Sequence, residues 1–122
     1  MFEYWNLNLV SDVFLDTFGY SGCVTTLEAV ACGLPVVTLP GEFHRGRHSY
    51  GILRQLGVTE TIADSLEEYV KIAVRLGQDR EWRAQIMQRT SAGHGSLFGD
   101  TRPVRALEDF FQHAVREAGA KV

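Results

Sequence analysis

The amino-acid sequence predicts an α/β fold: a partial Rossmann-like domain with a short parallel sheet, flanking helices and a terminal amphipathic helix. Two apolar, β-rich runs, residues 13–18 and 36–39, are typical of parallel strands, and the second is of the kind buried on both faces. The 16 residues that separate Phe18 from Pro35 provide room for a turn and a short crossover helix. These observations predict a right-handed βαβ unit.

The composition is that of a single globular domain. Of the 122 residues, 45% are apolar and 22% are charged, so the chain is able to bury a core. The net charge of −3 argues against binding to nucleic acid or to an anionic membrane. Neither a signal peptide nor an apolar run of about 20 residues is predicted. Cys23 and Cys32 are too few for a disulfide framework, and we expect reduced thiols in a cytoplasmic protein.

The turn after the first strand carries the clearest chemical signal. Gly19 and Gly22 bracket this turn and allow the backbone to bend sharply and to approach a ligand. The crossover helix is predicted to begin near Cys23 or Val24, and its first amides have no partner within the helix. Together with the positive end of the helix dipole, these amides predict a site for an anion.

The residues that follow the turn allow two interpretations. Thr25 and Thr26 add hydroxyl groups to the anion site, and Glu28, one turn after Thr25, is able to accept two hydrogen bonds from a ribose diol. The same residues also form a T-x-x-E capping box, in which Glu28 only bonds back to an amide at the start of the helix. The local pattern leaves both interpretations open.

Residues 42–48 form the most basic segment of the chain, in a loop or at the start of a helix. Arg45 and Arg47 are candidates for secondary phosphate contacts, because a guanidinium group is able to bind phosphate with two hydrogen bonds. The alternative is a solvated loop whose arginines pair with surface carboxylates. His44 and His48 have i, i+4 spacing, but no third ligand is spaced with them, and we predict no metal site.

Apolar periodicity and glycines predict the next elements. Gly33 ends the crossover helix, a second helix covers residues 49–56 and ends at Gly57, and residues 58–63 form a short strand.

Two further helices have capping signals at their starts. Ser65 and Glu68 form a capping box for a helix that ends at Gly77. Asp79 is the predicted cap of a helix over residues 80–89.

The end of the chain is predicted to be a linker and a terminal helix. Residues 91–99 contain three glycines and two serines, which is typical of a linker, and Asp100 caps a helix that extends to residue 119. This helix either packs on its own sheet or leaves a sticky patch around Phe110 and Phe111. Its predicted apolar face consists of Val104, Leu107, Phe111, Ala114 and Val115.

A longer pattern is more specific than any of these local signals. It consists of Asp12-Val-Phe-Leu-Asp-Thr-Phe, Tyr20-Ser-Gly-Cys-Val-Thr-Thr-Leu-Glu-Ala, Gly33-Leu-Pro-Val-Val-Thr-Leu-Pro-Gly, Arg45-Gly-Arg, Glu68-Tyr-Val-Lys-Ile-Ala-Val-Arg-Leu-Gly and Leu97-Phe-Gly-Asp. In this order the segments resemble the protein O-linked N-acetylglucosamine transferase family, most closely its bacterial and SPINDLY-like members, which carry tetratricopeptide repeats ahead of a glycosyltransferase. The resemblance covers about residues 12–111.

The resemblance implies the GT-B architecture, in which two Rossmann-like halves hold a nucleotide-sugar mainly on the second half. It also implies that the glycine-threonine turn contacts the diphosphate of the donor and that the acidic residue one turn later binds the ribose. By this alignment the diphosphate contacts fall on Gly22, Cys23, Val24, Thr25 and Thr26, and the ribose contact falls on Glu28.

Three positions depart from the best-studied members of that family. These members have histidine at the position of Cys23, threonine at that of Val24 and aspartate at that of Glu28. Because Val24 has no hydroxyl group, phosphate binding here would depend on backbone amides and on the two threonines that follow.

The resemblance also implies that the chain is a fragment of a larger enzyme. An acceptor-binding half, a lysine and a uracil-binding segment lie upstream in the family and do not fit into eleven residues. We therefore expect residues 1–11 to be the tail of an upstream segment, residues 12–90 an α/β core, residues 91–99 a linker and residues 100–119 a terminal helix.

The expected function is donor binding in a glycosyltransferase that moves a sugar, N-acetylglucosamine, from a UDP-linked donor to Ser or Thr hydroxyls of an acceptor protein. No further cofactor is expected, no catalytic residue is assigned, and the isolated fragment is expected to be inactive. The main alternative is a non-catalytic scaffold or a module that forms homo-dimers through surface exposed by truncation. A weaker alternative is another Rossmann protein, such as an epimerase.

Overall fold

Two very short parallel strands lie at the centre of the fold. The computed structural model describes the backbone of residues 2–119 and the side chains of residues 3–119. In it β1 (Phe14–Leu15) pairs with β2 (Val36–Val37) residue for residue, and a parallel bridge joins Thr38 to Ile62. The two predicted strands are thus present but shorter than expected.

Helices surround this small sheet within the described residues, and none of them is long and apolar enough to cross a membrane. They are α1 (Phe2–Val10), α2 (Val24–Ala31), α3 (His48–Leu56), α4 (Leu66–Gln78), α5 (Arg80–Ala92), α6 (His94–Leu97) and α7 (Arg102–Gly119), and a 3-10 turn covers His44–Gly46.

The core lies where β2 meets the inner faces of α2, α3, α4 and α5. Both residues of β2 are fully buried, as expected for a parallel strand covered on both faces. Each of the surrounding helices contributes an aliphatic side chain that is almost inaccessible to solvent. These side chains are Val30, Leu53, Leu76 and Ile86.

The ends of α2 and α3 and the starts of α4 and α5 follow the predicted capping chemistry, whereas α4 continues past the predicted end at Gly77 to Gln78. Gly33 and Gly57 adopt left-handed backbone angles, with φ of 74° and 75°, immediately after α2 and α3. Ser65 Oγ accepts a hydrogen bond from the Glu68 amide at 3.2 Å, and Asp79 caps α5 by accepting from the Trp82 amide at 2.9 Å. The predicted starts of α4 and α5 are confirmed.

Two predicted elements differ from the structure. Residues 58–63 form a turn with a single bridge at Ile62 instead of a strand. Residues 91–99 are largely helical, because α5 extends to Ala92 and α6 follows it. The Ser96 hydroxyl donates to the Gln55 carbonyl at 2.8 Å, which docks this segment on α3 and explains why it is not an extended linker.

The terminal helix α7 is present but has no buried residue. The prediction that the apolar face of α7 packs on the chain's own sheet is therefore wrong. Asp100 lies before the helix, and its carboxylate accepts from the Arg102 amide at 3.0 Å and from the Arg102 guanidinium. The bonded guanidinium lowers the pKa of Asp100 to about 2. The first backbone acceptor of α7 is Thr101, whose carbonyl oxygen bonds the Arg105 amide.

The amino-terminal segment, for which no regular structure was predicted, forms helix α1. It packs against α2 but leaves Leu7, Leu9 and Val10 exposed, while the polar Asn8 is buried. Leu7, Leu9 and Val10 thus face away from the core of this chain.

Gly93, between α5 and α6, is packed directly against backbone atoms of α3. A Cβ atom at this position would lie 2.5 Å from the Leu56 carbonyl oxygen and 3.0 Å from the Leu56 Cα atom. We predict that Gly93→Ala lowers the free energy of unfolding by about 1–3 kcal/mol, the usual cost of overpacking. Gly95→Ala is the matched control, since no atom lies within 4 Å of its added Cβ. Urea denaturation of both variants is the measurement, and equal stability of the two would contradict the packing described here.

Candidate functional site

The amino-terminal end of α2 presents unpaired backbone amides to solvent. Within residues 2–119, the amides of the exposed residues Cys23, Val24 and Thr25 donate no hydrogen bond, and no side chain caps the helix. The Thr26 amide has no partner either, but this residue is fully buried. The side chains of Val24 and Thr25 are exposed, and that of Cys23 is exposed as well. This is the arrangement in which a helix start binds an anion, because the free amides and the helix dipole both favour negative charge.

The capping-box interpretation of these residues is wrong. The helix begins at Val24, with Cys23 as the cap residue, so Thr25 already lies inside the first turn. Glu28 does not bond back to the helix start. Its Oε1 atom instead accepts a hydrogen bond of 3.2 Å from the indole of Trp5 on α1. Glu28 is partly exposed, and its Oε2 atom has no hydrogen bond among the described residues.

Gly22 and Thr26 face the interior, unlike the three residues between them. The Gly22 amide donates to Asp16 Oδ1 at 2.8 Å, and the Thr26 hydroxyl, which is fully buried, donates to the Gly22 carbonyl at 3.0 Å. A diphosphate contact from the Thr26 hydroxyl or the Gly22 amide is therefore not supported, because both groups are already used inside the protein. Gly22 is still required sterically, since an added Cβ would lie 2.6 Å from Thr26 Oγ1.

Asp16 is the residue that sequence reasoning missed. It follows β1 and is only 4% exposed, and its Oδ2 atom accepts from the Ser21 hydroxyl at 2.8 Å and from the Thr38 hydroxyl at 2.6 Å. No ion pair involves this carboxylate among the described residues. The available signal in the sequence was an acidic residue at the end of an apolar strand. This signal does not identify the hydrogen-bond partners of Asp16, because they come from separate segments of the chain.

A second layer of hydroxyl groups connects this carboxylate to α3. The Ser49 amide, in the first turn of α3, donates to Ser21 Oγ at 2.9 Å. The Ser49 hydroxyl lies 2.8 Å from Thr26 Oγ1 and 3.1 Å from the Gly22 carbonyl. Buried hydrogen bonds therefore join the start of α2 to the start of α3, and each of the hydroxyl groups involved has a partner.

The basic segment lies beside the start of α2. The Ser21 amide donates to the Arg45 carbonyl at 2.8 Å, and the Gly41 amide donates to the Gly46 carbonyl at 2.9 Å. Gly46 is buried against Gly41, so closely that a Cβ atom added to Gly46 would lie 3.3 Å from the Gly41 Cα atom. These contacts close the loop and bring the 3-10 turn next to the predicted anion site.

A cavity of about 300 Å³ lies between α2, the 3-10 turn and α3. Arg47 and Cys23 both line it, so the structure brings these two predicted site residues together. The residues that line it are Cys23, Leu27, His44, Arg47, His48, Gly51, Ile52 and Leu97. A larger cavity of about 590 Å³ lies beside α6 and the start of α7, and none of the predicted site residues lines it.

The two candidate arginines are placed differently. The Arg47 guanidinium donates to the Gly41 carbonyl at 2.8 Å and stacks on the Tyr50 ring at 4.6 Å, whereas that of Arg45 lies 4.6 Å from the Phe43 ring at the surface. Neither arginine forms an ion pair with a carboxylate within residues 2–119. The interpretation as surface ion pairs is therefore wrong for the described residues.

His44 and His48 contact each other edge to face, with 4.8 Å between their ring centroids. Over the part of the chain that the structure describes, no group of three or more potential ligands is arranged to hold a metal ion.

Comparison with known proteins identifies the family to which this site belongs. The profile of Glycosyl transferase family 41 matches residues 4–102, which is most of the chain. This chain belongs to glycosyl transferase family 41. The match includes every residue of the α2 start and of the basic segment.

Individual relatives in family 41 agree with this assignment. The Caenorhabditis elegans protein named UDP-N-acetylglucosamine--peptide N-acetylglucosaminyltransferase is 41% identical over 105 residues, which is 82% of this chain and 9% of that protein. The SPINDLY protein of Petunia hybrida is 37% identical over 68 residues, 56% of this chain and 7% of its own length.

A solved structure gives the same result for the fold. The Thermobaculum terrenum O-GlcNAc transferase, as its K341M mutant, superposes with a TM-score of 0.84 at 35% identity, over 97% of this chain and 23% of that chain. The predicted α/β class and the likeness to part of a GT-B enzyme are confirmed. This family 41 chain spans less than a quarter of each of these three relatives.

Tyr69 of α4 contacts the backbone of Asp16, next to the candidate site. Its buried hydroxyl donates to the Asp16 carbonyl at 2.9 Å. Burial raises the pKa of Tyr69 above its ordinary value of 10.0, and the nearby negative charge of Asp16 adds to this effect. The folded protein therefore favours the protonated tyrosine.

We predict that Tyr69→Phe lowers the free energy of unfolding by about 1 kcal/mol at neutral pH, the usual net contribution of one hydrogen bond. Because the pKa is higher in the folded state, this contribution is complete below pH 10.0 and is lost as the pH rises through the folded-state pKa. The measurement is urea unfolding of the wild type and Tyr69→Phe from about pH 7 to about pH 11. The stability difference should stay constant in the neutral range and shrink above pH 10.0, and a difference independent of pH would contradict this role.

Proposed function

We propose that this chain forms the donor-binding part of a glycosyltransferase that transfers N-acetylglucosamine from a UDP-linked donor to Ser or Thr hydroxyls of an acceptor protein. The observation that carries the proposal is the row of unpaired amides at the start of α2 in a family 41 chain. The C. elegans relative, whose name specifies UDP-N-acetylglucosamine and a peptide, supports this donor and this acceptor.

In the proposed site, α2 binds the diphosphate and the ribose, and the basic segment provides a secondary phosphate contact. The amides of Cys23, Val24 and Thr25 and the Thr25 hydroxyl bind the diphosphate, and the free Oε2 atom of Glu28 accepts from the ribose. Because the amides are fixed before the ligand arrives, they stabilise charge on the leaving diphosphate without reorganisation. The absence of a hydroxyl at Val24 does not weaken this contribution, since it comes from the backbone.

Arg47 is the stronger of the two candidates for a secondary phosphate contact. Its guanidinium is held in place by the Gly41 carbonyl and the Tyr50 ring, and it shares a cavity with Cys23. Arg45 contributes mainly through its carbonyl, which bonds the Ser21 amide. We assign no catalytic base and no further cofactor, and we propose that the isolated chain binds donor without catalysing transfer. The free thiols of Cys23 and Cys32 support the proposed cytoplasmic location.

The test is a titration of this chain with UDP and GDP, followed by backbone amide shifts in NMR spectra. We predict saturable shifts centred on residues 23–28 with UDP, and smaller shifts with GDP. Thr25→Ala and Glu28→Gln should each weaken UDP binding by about tenfold, the effect of losing one hydrogen bond to a charged group, about 1.5 kcal/mol.

Matched controls exist on exposed positions away from the site. Thr59→Ala and Glu67→Gln repeat the two substitutions on exposed side chains outside the proposed site, and they should leave UDP affinity unchanged. A folded wild-type chain whose amide shifts do not respond to UDP would overturn the donor-binding proposal. Equal effects of site and control variants would overturn the assignment of these residues.

A second candidate function is a non-catalytic scaffold or a module that forms homo-dimers. The specific observation in its favour is the exposed apolar face of α7, on which Leu107 and Phe111 are 53% and 57% exposed. Apolar faces of this kind usually mark a surface that another molecule covers.

This second candidate predicts a concentration-dependent dimer in solution. Light scattering after size-exclusion chromatography should give the dimer mass for the wild type and the monomer mass for Leu107→Ser combined with Phe111→Ser, because the apolar contact is lost. Gln112→Ser on the same helix is the control and should stay dimeric. A wild type that is monomeric at every concentration would eliminate the candidate.

A further inference from the structure

The carboxylate of Asp16 is buried without a cation among the described residues, yet all its hydrogen bonds lead to the proposed donor site or to the strand beside it. One of its oxygen atoms is bonded to the Gly22 amide, and the other is bonded to the hydroxyls of Ser21 and Thr38. Burying a charged group is costly unless it is well hydrogen-bonded. A neutral polar residue would occupy this position at a lower cost, so the charge calls for an explanation.

We propose that Asp16 is the positioning residue of the donor site: its carboxylate holds the turn before α2 in the one arrangement that leaves the following amides free for a diphosphate. The proposal rests on the donor-binding function proposed above. Asp16 itself contacts no ligand in this arrangement, and it acts through Gly22 and Ser21.

The bond between Asp16 and the Gly22 amide sets the direction of the amides that follow. The bond to Asp16 turns the Gly22 amide inward, and the amides of the three exposed residues that follow, 23–25, have no partner within the described chain. Without the carboxylate, the partly buried Gly22 amide would lose its acceptor within the chain, and the turn would rearrange to satisfy it. A rearranged turn would also redirect the amides next to it.

The Ser21 hydroxyl links the carboxylate to α3. Because this hydroxyl donates its proton to Asp16, its lone pairs are left to accept from the Ser49 amide of α3 at 2.9 Å. The carboxylate thereby fixes the start of α3 as well as the start of α2. The cavity between these two helices, which Cys23 and Arg47 line, depends on the same carboxylate.

Electrostatics alone would give Asp16 the opposite effect on a donor. A negative charge near the start of α2 repels a diphosphate, so removal of the charge by itself would strengthen binding. A positioning role predicts weaker binding when the charge is removed. The sign of the change in affinity therefore distinguishes the two effects.

The experiment measures UDP binding to the whole chain by NMR, together with thermal unfolding, for Asp16→Asn and for a pair of buried threonines. Asp16→Asn keeps one oxygen acceptor for the Gly22 amide but places an NH2 group, which is a donor, against the hydroxyls of Ser21 and Thr38. It should therefore weaken UDP binding by about tenfold or more and shift the Gly22 amide resonance in the absence of UDP. Thr38→Val, which removes one donor from the carboxylate but lies outside the turn, should weaken UDP binding by about threefold.

Thr61→Val is the matched control for Thr38→Val. Thr61 is also fully buried and lies next to Thr38, whose amide bonds the Thr61 carbonyl, but its hydroxyl has no hydrogen bond among the described residues. This control should leave UDP affinity unchanged. If Asp16→Asn does not fold, the threonine pair decides the question alone.

Each result has a definite meaning. Unchanged or tighter UDP binding by a folded Asp16→Asn, or equal UDP affinity of the two threonine variants, would overturn the positioning role while leaving donor binding intact. Changes in melting temperature without any change in UDP affinity would show that the carboxylate is only structural. A wild type that binds no UDP would overturn the proposed function, and the positioning role with it.

Discussion

The need to satisfy one buried carboxylate determines the centre of this molecule. Asp16 has no cation among the described residues, so its charge is offset only by hydrogen-bond donors. Those donors come from the turn before α2 and from the end of β2, at Thr38. A carboxylate that collects donors from separate segments sets their relative positions more strictly than apolar packing does, because hydrogen bonds constrain both distance and direction.

This constraint explains how the site and the scaffold share one short segment. Gly22 and Thr26 face inward and use their polar groups inside the protein, whereas Cys23, Val24 and Thr25 face outward and leave theirs free. A helix start with no internal cap is less stable than a capped one. In this chain the missing cap is also the feature that leaves the amides free for the proposed diphosphate contact, so the proposed site is accompanied by a loss of local stability.

The sequence predicts those parts of this arrangement that depend on near neighbours. The helix ends at Gly33 and Gly57, the start of α2 and the caps of α4 and α5 follow from residues within one turn of each other, and all of them agree with the structure. The capping box failed because Thr25 and Glu28 match the pattern at a register that the helix does not use. The hydrogen bonds of Asp16 could not be predicted from the sequence, because Thr38 is 22 positions away and no local pattern relates the two residues.

Helix α7 is a second case in which the local sequence pattern does not predict the tertiary contacts. Its apolar spacing resembles that of α4, yet the stripe of α4 is buried at Tyr69, Ile72 and Leu76, whereas α7 has no buried residue. Local pairs such as Arg105 with Glu108 contribute only about 0.2–0.5 kcal/mol each, and most helices in proteins depend on a packed face. The proposed donor site receives its hydrogen bonds from residues 16–49, from Trp5 of α1 and from Tyr69 of α4, and none from α7. The hydrogen bonds that form the site therefore do not depend on whatever surface covers α7, and the two parts of the chain respond to separate constraints.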